Sequence, residues 1–134
     1  MKIMAIDYGD AHTGIAVSDA LLTLAGFTTV ITAYRPEAVA AEVQNLIAEH
    51  GVTELVLGHP LNMDGTRGPR AEKAEGFAAL LRETTGLPVT LWDERRTTVD
   101  AHGGKNAKQR KKTVDAVAAS LMLEGYLTFK KRQK

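Results

Sequence analysis

The sequence contains no cysteine. This absence excludes disulfide bonds, zinc sites built from thiolates and catalysis by a cysteine nucleophile. No apolar run is long enough to span a membrane, and Asp7 interrupts the apolar start of the chain too early for a secretory signal peptide. We therefore expect a cytoplasmic protein that has no membrane partner.

The chain also lacks internal repeats and any segment typical of a linker between domains. Its length of 134 residues, with 44% hydrophobic and 25% charged residues, is typical of one globular domain that buries a substantial core. We therefore predict a single domain over residues 1–134.

Charge is distributed unevenly along the chain. The net charge is only +1, but residues 105–134 carry a net charge of +7 and residues 1–104 a net charge of −6. Clustered Lys and Arg side chains displace counterions from phosphates, so the basic segment from about residue 105 favours a polyanion such as nucleic acid. A solvated helix flank would have the same composition and is the structural alternative.

The first 33 residues predict three antiparallel strands. Residues 3–6 form a short apolar run typical of a buried strand, and Asp7 follows it directly. Glycines flank a turn into a second strand at 15–17, and the β-branched segment 26–33 predicts a third. A carboxylate beside so much apolar sequence needs a cation or a basic partner. Capping of a neighbouring loop is the alternative role for Asp7.

The next segment predicts alternating helices and strands. A helix is expected from Pro36 to the residue before Gly51, a strand over 54–57, a second helix from Pro69 to the residue before Gly86 and a fifth strand over 87–92. A strand, a crossover helix and another strand give parallel pairing. The long loop that follows residue 57 is dense in turn-forming residues, which is typical of a functional site.

A last helix is predicted from about Thr113 to Phe129. Thr113 would be its N-cap, and the helix dipole would favour Asp115 in the first turn without any catalytic role. Helical spacing predicts a core face made of Val114, Val117, Ala118, Leu121 and Gly125.

Three carboxylates fall at the ends of predicted elements, and these are Asp7, Glu94 and Asp115. Strand alternation directs Asp93 and Glu94 to opposite faces, so at most one of them can share a site with Asp7. We choose Glu94, although spacing alone does not decide between the two. Hard oxygen ligands without cysteine select Mg²⁺ or Mn²⁺, ions that can hold a phosphodiester and activate water.

Several motifs, taken as an ordered set, resemble one known family. They are Ile-Asp-Tyr-Gly at 6–9, Gly-Ile-Ala-Val-Ser-Asp at 14–19, the loop 58–66, Asp-Glu-Arg-Arg-Thr-Thr at 93–98, and Asp115 followed by Ala118-Ala119 and Tyr126-Leu127. The set resembles the YqgF (RuvX) family and covers nearly the whole chain. That family has a ribonuclease H-like fold, and its members are described as pre-16S rRNA nucleases and, by relation to the RuvC resolvases, as Holliday junction resolvases.

The resemblance implies an α/β ribonuclease H-like fold of three layers, with a five-stranded mixed sheet flanked by helices. It implies that Asp7, Glu94 and Asp115 are the catalytic residues and ligate Mg²⁺ or Mn²⁺. It also implies a site loop near them, made of Asn62, Met63, Asp64 and Gly65.

Arg95 would contact a phosphate or hold its own segment through an ion pair. The further candidates for nucleic-acid binding are the basic residues Lys105, Lys108, Arg110, Lys111 and Lys112, and the weaker acidic candidates are Asp10, Asp64 and Asp93. One departure concerns Ala11-His12, which stands where the family usually has a Lys-Arg pair. This change removes positive charge from beside Asp7.

The leading hypothesis is therefore a metal-dependent endonuclease that acts on structured RNA, most simply precursor 16S rRNA. One alternative is a Holliday junction resolvase, which would cut branched DNA as a dimer. Another is a non-catalytic RNA-binding factor in ribosome assembly, for which the Ala11-His12 change is an argument. The expected assembly is a monomer or a weak homodimer.

Overall fold

The computed structural model describes residues 1–22, 24–93 and 107–132, with side chains throughout these ranges except at residues 107–115. Five strands and three helices follow one another along the chain. They are β1 (Lys2–Asp7), β2 (His12–Ser18), β3 (Ala25–Thr32), α1 (Pro36–His50), β4 (Val52–His59), α2 (Pro69–Thr85), β5 (Val89–Asp93) and α3 (Ala107–Arg132).

The five strands form one mixed sheet in the order β3-β2-β1-β4-β5. β1 pairs antiparallel with β2, and β2 pairs antiparallel with β3. β1, β4 and β5 are parallel, because α1 and α2 return the chain to the same edge of the sheet before each new strand. The predicted meander followed by parallel strands is therefore confirmed. We call the edge at which β1, β4 and β5 end the carboxyl edge.

The first two helices begin and end at the residues that the sequence predicts. Pro36 and Pro69 stand in their first turns, where the missing N–H costs no hydrogen bond. Gly51 and Gly86 end them with φ of 71° and 70°, a left-handed conformation that glycine adopts without strain. The N–H of Gly51 donates to the carbonyl of Ile47 at 2.9 Å and so caps the last turn of α1.

The sheet buries a different apolar layer on each face. Met4 and Ile6 of β1 pack against α1 and α2, whereas Ile3 and Ala5 pack against α3. This alternation is the strand period of two, and it directs Asp7 to the same face as Ala5. Asp7 therefore ends β1 on the side of the sheet that α3 covers.

Helix α3 begins earlier than the sequence predicts. It starts at Ala107, so Thr113 lies inside the helix and cannot be its N-cap. Asp115 accordingly lies in the third turn, and the prediction that it belongs to the first turn was wrong. The segment 107–112 contains only Ala, Lys, Gln and Arg, which are strong helix formers, and the prediction of a helix start at about Thr113 underestimated this propensity.

The predicted core face of α3 was also wrong. Val117 is 45% exposed, and the residues that the sheet buries are Ala119, Met122, Leu123, Tyr126 and Leu127. Both sets have helical spacing, since apolar side chains stand on most sides of this helix. The observed set of one Ala, one Met, one Tyr and two Leu removes more apolar surface from water than the predicted set of one Ala, one Gly, one Leu and two Val, which selects the observed face.

The C-terminal half of α3 is fixed at the edge of the sheet where the parallel strands begin. The hydroxyl of Tyr126 donates to Glu54 at 2.5 Å, and the Nζ of Lys130 donates to the same carboxylate at 2.8 Å. Glu54 lies near the start of β4. The rings of Tyr126 and Phe129 also pack on Trp92 of β5, with centroids 5.5 and 5.4 Å apart, so the C-terminal half of α3 lies across β4 and β5. None of the helices within the described ranges is both long and apolar enough to cross a membrane.

Candidate active site

The carboxyl edge gathers the ends of three neighbouring strands. β1 ends at Asp7, β4 at His59 and β5 at Asp93, and the register pairs Ile6 with Leu57 and His59 with Asp93. The loop from His59 to Gly68 extends from the same edge. The carboxyl ends of parallel strands are where α/β folds place their binding sites.

Asp7 is followed by a tight turn in which position 9 has no room for a side chain. The register pairs Asp7 with Gly14 on β2. A Cβ added to Gly9 would lie 2.3 Å from the carbonyl oxygen of His12, well inside van der Waals contact. Glycine at position 9 therefore permits the tight return of the chain and fixes Asp7 at the end of β1. His12 itself opens β2, and its Nδ1 lies 3.4 Å from the hydroxyl of Thr32.

Position 115 belongs to the row of α3 that packs on the sheet. It precedes Ala119 by four residues, Met122 by seven and Tyr126 by eleven, and this spacing returns to one side of an α-helix. That row packs in the same layer as Ile3 and Ala5 of β1. The helical repeat therefore places position 115 on the side of α3 that faces the Asp7 side of the sheet.

The structure describes the predicted ligands to different extents. Asp7 is described in full and is partly buried. Glu94, Arg95 and Lys105 lie outside the described residues. Asp115, Lys108, Arg110, Lys111 and Lys112 lie on α3, but their side chains are not described. Within the described side chains no three His, Asp or Glu residues are grouped to hold a metal ion. The metal site therefore remains a prediction, and its candidate ligands are all carboxylates.

The alternation of side chains along β5 places Asp93 on the face of the sheet opposite to the one that Asp7 shares with α3. Trp92 packs in the α3 layer, edge-on to Tyr126 with ring centroids 5.5 Å apart. Asp93 follows Trp92 and so points to the opposite face. This alternation argues against Asp93 as a partner of Asp7.

The other acidic candidates have structural partners. Asp10 forms an ion pair with Lys73, with 2.5 Å between Oδ1 and Nζ. Asp64 accepts hydrogen bonds from the N–H and the hydroxyl of Thr66 at 3.0 and 2.6 Å. Asp19 stands at the end of β2, at the opposite edge of the sheet from Asp7, and accepts a hydrogen bond from the Leu24 N–H at 3.4 Å.

The site loop at 62–65 is organised by its own hydrogen bonds. The N–H of Asn62 donates to the carbonyl of Thr66 at 2.9 Å, and the N–H of Gly65 donates back to the carbonyl of Asn62 at 2.8 Å. Gly65 has φ of 89°, which the turn requires. Met63 is 89% exposed at the tip. The loop is therefore a preformed turn that presents Met63 beside the carboxyl edge.

Glu75 on α2 joins both ends of this loop to the helix, a role that the sequence did not reveal. It accepts a hydrogen bond from His59 Nε2 at 2.7 Å and two from Arg67, through Nε at 2.8 Å and Nη2 at 2.5 Å. The hydrogen bonds from Arg67, and then that from His59, lower the pKa of Glu75 from 4.5 to about 2. The carboxylate is therefore ionised at any pH near neutrality.

A pocket of about 410 Å³ opens on the α2 side of the same edge. We call it the Lys73 pocket, and its lining residues are Tyr8, Gly9, Asp10, Pro60, Pro69, Arg70, Lys73 and Ala74. Tyr8 stacks on Phe77 with ring centroids 4.0 Å apart. Burial raises the pKa of the Tyr8 hydroxyl, and the hydrogen bond with Asp10 raises the pKa of Lys73. From the sequence alone, Arg70 and Lys73 look like the solvated face of a helix.

The basic C-terminal segment is divided between the two ends of α3. Positions 108–112 and 130–132 are separated by about 20 residues, or about 30 Å of helix. Lys130 is engaged by Glu54 at the far end. The cluster at 108–112 lies at the N-terminal end of α3, away from this ion pair.

Curated proteins of similar sequence align along nearly the whole chain. The chain is 41% identical over 137 residues to a protein of Halothermothrix orenii, with 98% of each chain covered. It is 42% identical over 139 residues to a protein of Carboxydothermus hydrogenoformans, with 98% of this chain and 99% of the relative covered. Both relatives carry the name "Putative pre-16S rRNA nuclease".

Among solved structures, RuvC of Thermus thermophilus in complex with Holliday junction substrate has the same fold. The TM-score is 0.66 at 16% sequence identity, and the match covers 97% of this chain and 96% of RuvC. This confirms the predicted ribonuclease H-like architecture. The family model "RuvX: Holliday junction resolvase" matches residues 1–129. The chain is thus a member of the RuvX family.

Proposed function

We propose that this protein is a divalent-metal-dependent endonuclease that hydrolyses phosphodiester bonds in structured nucleic acid, with precursor 16S rRNA as its substrate. The observation that supports the proposal is that Asp7 ends β1 at the carboxyl edge, on the face of the sheet covered by α3, and that position 115 belongs to the helical row that packs on that face. The substrate in this proposal is taken from the names of the relatives from Halothermothrix orenii and Carboxydothermus hydrogenoformans.

In this proposal Asp7, Glu94 and Asp115 are the metal ligands. The helical repeat aligns position 115 with Ala119, Met122 and Tyr126, the row that packs on the sheet. Strand alternation beyond Trp92 would return position 94 to the face of Asp7. Three carboxylates on one face repel each other unless a cation lies between them. An all-oxygen set of this kind fits Mg²⁺ or Mn²⁺, which would supply a bound hydroxide and neutralise charge on the phosphate.

The remaining parts of the site would bind and orient the nucleic acid. Arg95, Lys105 and the cluster Lys108, Arg110, Lys111 and Lys112 would contact the phosphate backbone on the α3 side of Asp7. The loop 62–65 would lie beside the bound strand, held in position by Glu75. We further propose that residues 1–134 form one domain, that the protein is cytoplasmic and that it is a monomer or a weak homodimer.

Cleavage of precursor 16S rRNA in the presence of Mn²⁺ tests this proposal. The wild-type protein is expected to cut, and Asp7→Asn to reduce the rate more than about 100-fold, since even residues that only support metal ligands contribute 10- to 100-fold. Asp19→Asn is the matched control, because it makes the same change at the opposite edge of the sheet. Calorimetric titration with Mn²⁺ should show that Asp7→Asn, and not Asp19→Asn, weakens binding of the ion. Unchanged cleavage by Asp7→Asn would exclude the assigned site.

The description of the family model and the fold shared with RuvC favour a second candidate, a Holliday junction resolvase. A resolvase must place two active sites on one four-way junction, so it acts as a dimer and makes paired symmetric nicks. Incubation with precursor rRNA and with a synthetic four-way DNA junction, side by side, separates the two activities. Paired nicks in the junction by a dimer, without cleavage of the RNA, would replace the first proposal with the second.

A further inference from the structure

We propose that the Lys73 pocket is a second nucleic-acid contact, in which Lys73 and Arg70 bind a backbone phosphate and Asp10 acts as a competing anion. The inference rests on the proposed function for the identity of the polyanion. It adds a binding site on the α2 side of the sheet to the basic residues expected on the α3 side.

The position of the pocket relative to Asp7 makes the contact feasible. Tyr8, Gly9 and Asp10 line the pocket and directly follow Asp7 in the chain. Three residues span at most about 11 Å, so the wall formed by Asp10 lies within that distance of Asp7. A strand that crosses the carboxyl edge at Asp7 would therefore reach the pocket within a few nucleotides.

The two basic side chains are available to an incoming phosphate. The Lys73 and Asp10 side chains are 62% and 86% exposed, and an ion pair in that setting contributes little to stability. Exchange of Asp10 for a phosphate would therefore cost the fold little. In the described part of the chain Arg70 has no ion-pair partner. The hydrogen bond and charge of Lys73 lower the pKa of the Asp10 carboxyl, and the charge of Arg70 lowers it further.

The chemistry of the lining fits a phosphodiester with part of its nucleotide. A guanidinium can donate two parallel hydrogen bonds to a phosphate, and an ammonium adds a compact charge. The volume of about 410 Å³ is within the range of small-ligand pockets. Tyr8, Pro60 and Pro69 provide apolar walls against which a sugar or base can pack.

Binding of a fluorescent single-stranded RNA oligonucleotide in EDTA tests the site without any cleavage. Lys73→Ala and Arg70→Ala should each weaken binding severalfold at low salt, and each should reduce the slope of log K against log salt by about 1. Asp10→Asn should strengthen binding, because it removes the competing carboxylate. Lys131→Ala, an exposed lysine at the far end of α3, is the matched control and should leave the slope unchanged.

The outcomes separate this inference from the proposed function. If the wild-type protein cleaves RNA but the Lys73, Arg70 and Asp10 variants bind like Lys131→Ala, the pocket proposal fails and the nuclease stands. If the variants change binding as expected while no cleavage is found, the pocket stands as a nucleic-acid contact and the nuclease fails.

Competition with AMP and with inorganic phosphate completes the test. Displacement of the oligonucleotide by either at micromolar concentration would show a small-molecule site and overturn the assignment.

Lys73→Ala, Arg70→Ala and Asp10→Asn each change an exposed side chain, so the thermal midpoints of these three variants should match that of the wild type.

Reversal of the charge at position 73 provides a second measurement. Lys73→Glu should weaken binding more than Lys73→Ala does, because it adds repulsion to the loss of the contact. Equal binding by the two variants would contradict a direct phosphate contact.

Discussion

His59, the last residue of β4, donates a hydrogen bond from its Nε2 to Glu75 on α2 at 2.7 Å. Glu75 also accepts two hydrogen bonds from Arg67 at the other end of the loop. One carboxylate thus fixes both ends of the loop that borders the carboxyl edge. The loop is joined to α2 by charge-assisted hydrogen bonds, which are stronger than those between neutral groups.

This arrangement predicts that acid weakens the attachment of the loop. The pKa of Glu75 is lowered from 4.5 to about 2, so its contribution to stability is complete above pH 4.5 and is lost as the pH falls from there towards 2. Glu75→Gln should therefore be less stable than the wild type at pH 6, and the two should converge near pH 2. Denaturant midpoints measured across this range would check it. Glu83→Gln, an exposed change on the same helix, should follow the wild type, and a constant gap between Glu75→Gln and the wild type would contradict the prediction.

Two glycine substitutions should have opposite effects. Gly9→Ala places a Cβ 2.3 Å from the carbonyl oxygen of His12, so the turn must move, at a cost of about 1–3 kcal/mol in the free energy of unfolding. Gly76→Ala lies on the exposed side of α2 with no atom within 4 Å of the new Cβ. It should stabilise the protein by about 0.5–1 kcal/mol, because alanine favours the helix interior. Urea denaturation of both variants measures the difference. A free energy of unfolding for Gly9→Ala equal to that of the wild type would contradict the close contact at this turn.

Loss of the Tyr126 hydroxyl should loosen the C-terminal half of α3. Tyr126 is 5% exposed, burial raises the pKa of its hydroxyl, and that hydroxyl donates to Glu54. Tyr126→Phe should cost about 1.5 kcal/mol, which is typical of a hydrogen bond to a charged acceptor. Tyr34→Phe, at a side chain that is 78% exposed, should cost nothing measurable. Thermal denaturation would compare them, and equal midpoints for the two variants would exclude this anchor.

A comparison at adjacent positions tests which acidic residue after β5 serves the site. Because Trp92 faces α3, alternation predicts that position 94 and not position 93 shares the face of Asp7. Glu94→Gln should reduce Mn²⁺-dependent cleavage more than about 100-fold, whereas Asp93→Asn should keep activity within about 10-fold of the wild type. Rates are to be measured over a Mn²⁺ titration, since a weakened ligand set shows partial recovery at high metal. The reverse order of effects would assign the ligand to Asp93.

Most of the sheet and the first two helices could be predicted because their signals are local. A run such as 3–6 has no polar residue to place on a solvent face, and Pro69 with Gly86 marks both ends of a helix. Helix α3 has no such signals. It is already helical at Ala107, in a charged segment of strong helix formers, and its buried face is chosen by the sheet rather than by its own spacing.

A residue of the candidate site could be predicted from the sequence only where a charged side chain directly follows the end of a predicted strand or helix. Asp7 met this condition, because it follows a buried strand with a glycine close behind. Lys73 and Glu75 did not, because each is one of many charged residues on an exposed helix. Their importance comes from partners far along the chain, Asp10 and His59, that only the folded arrangement brings to them.

The attachment of α3 through Tyr126 and Lys130 makes the orientation of position 115 depend on the number of residues between them. Each residue of an α-helix turns the chain by about 100°. Insertion of a single alanine between Ala116 and Ala119 would leave the anchored half of α3 in place and rotate position 115 away from the sheet. The insertion changes none of the side chains assigned to the site. If Asp115 is a ligand as proposed, the spacing of this helix is therefore as much a requirement of the metal site as the identity of its acidic residues.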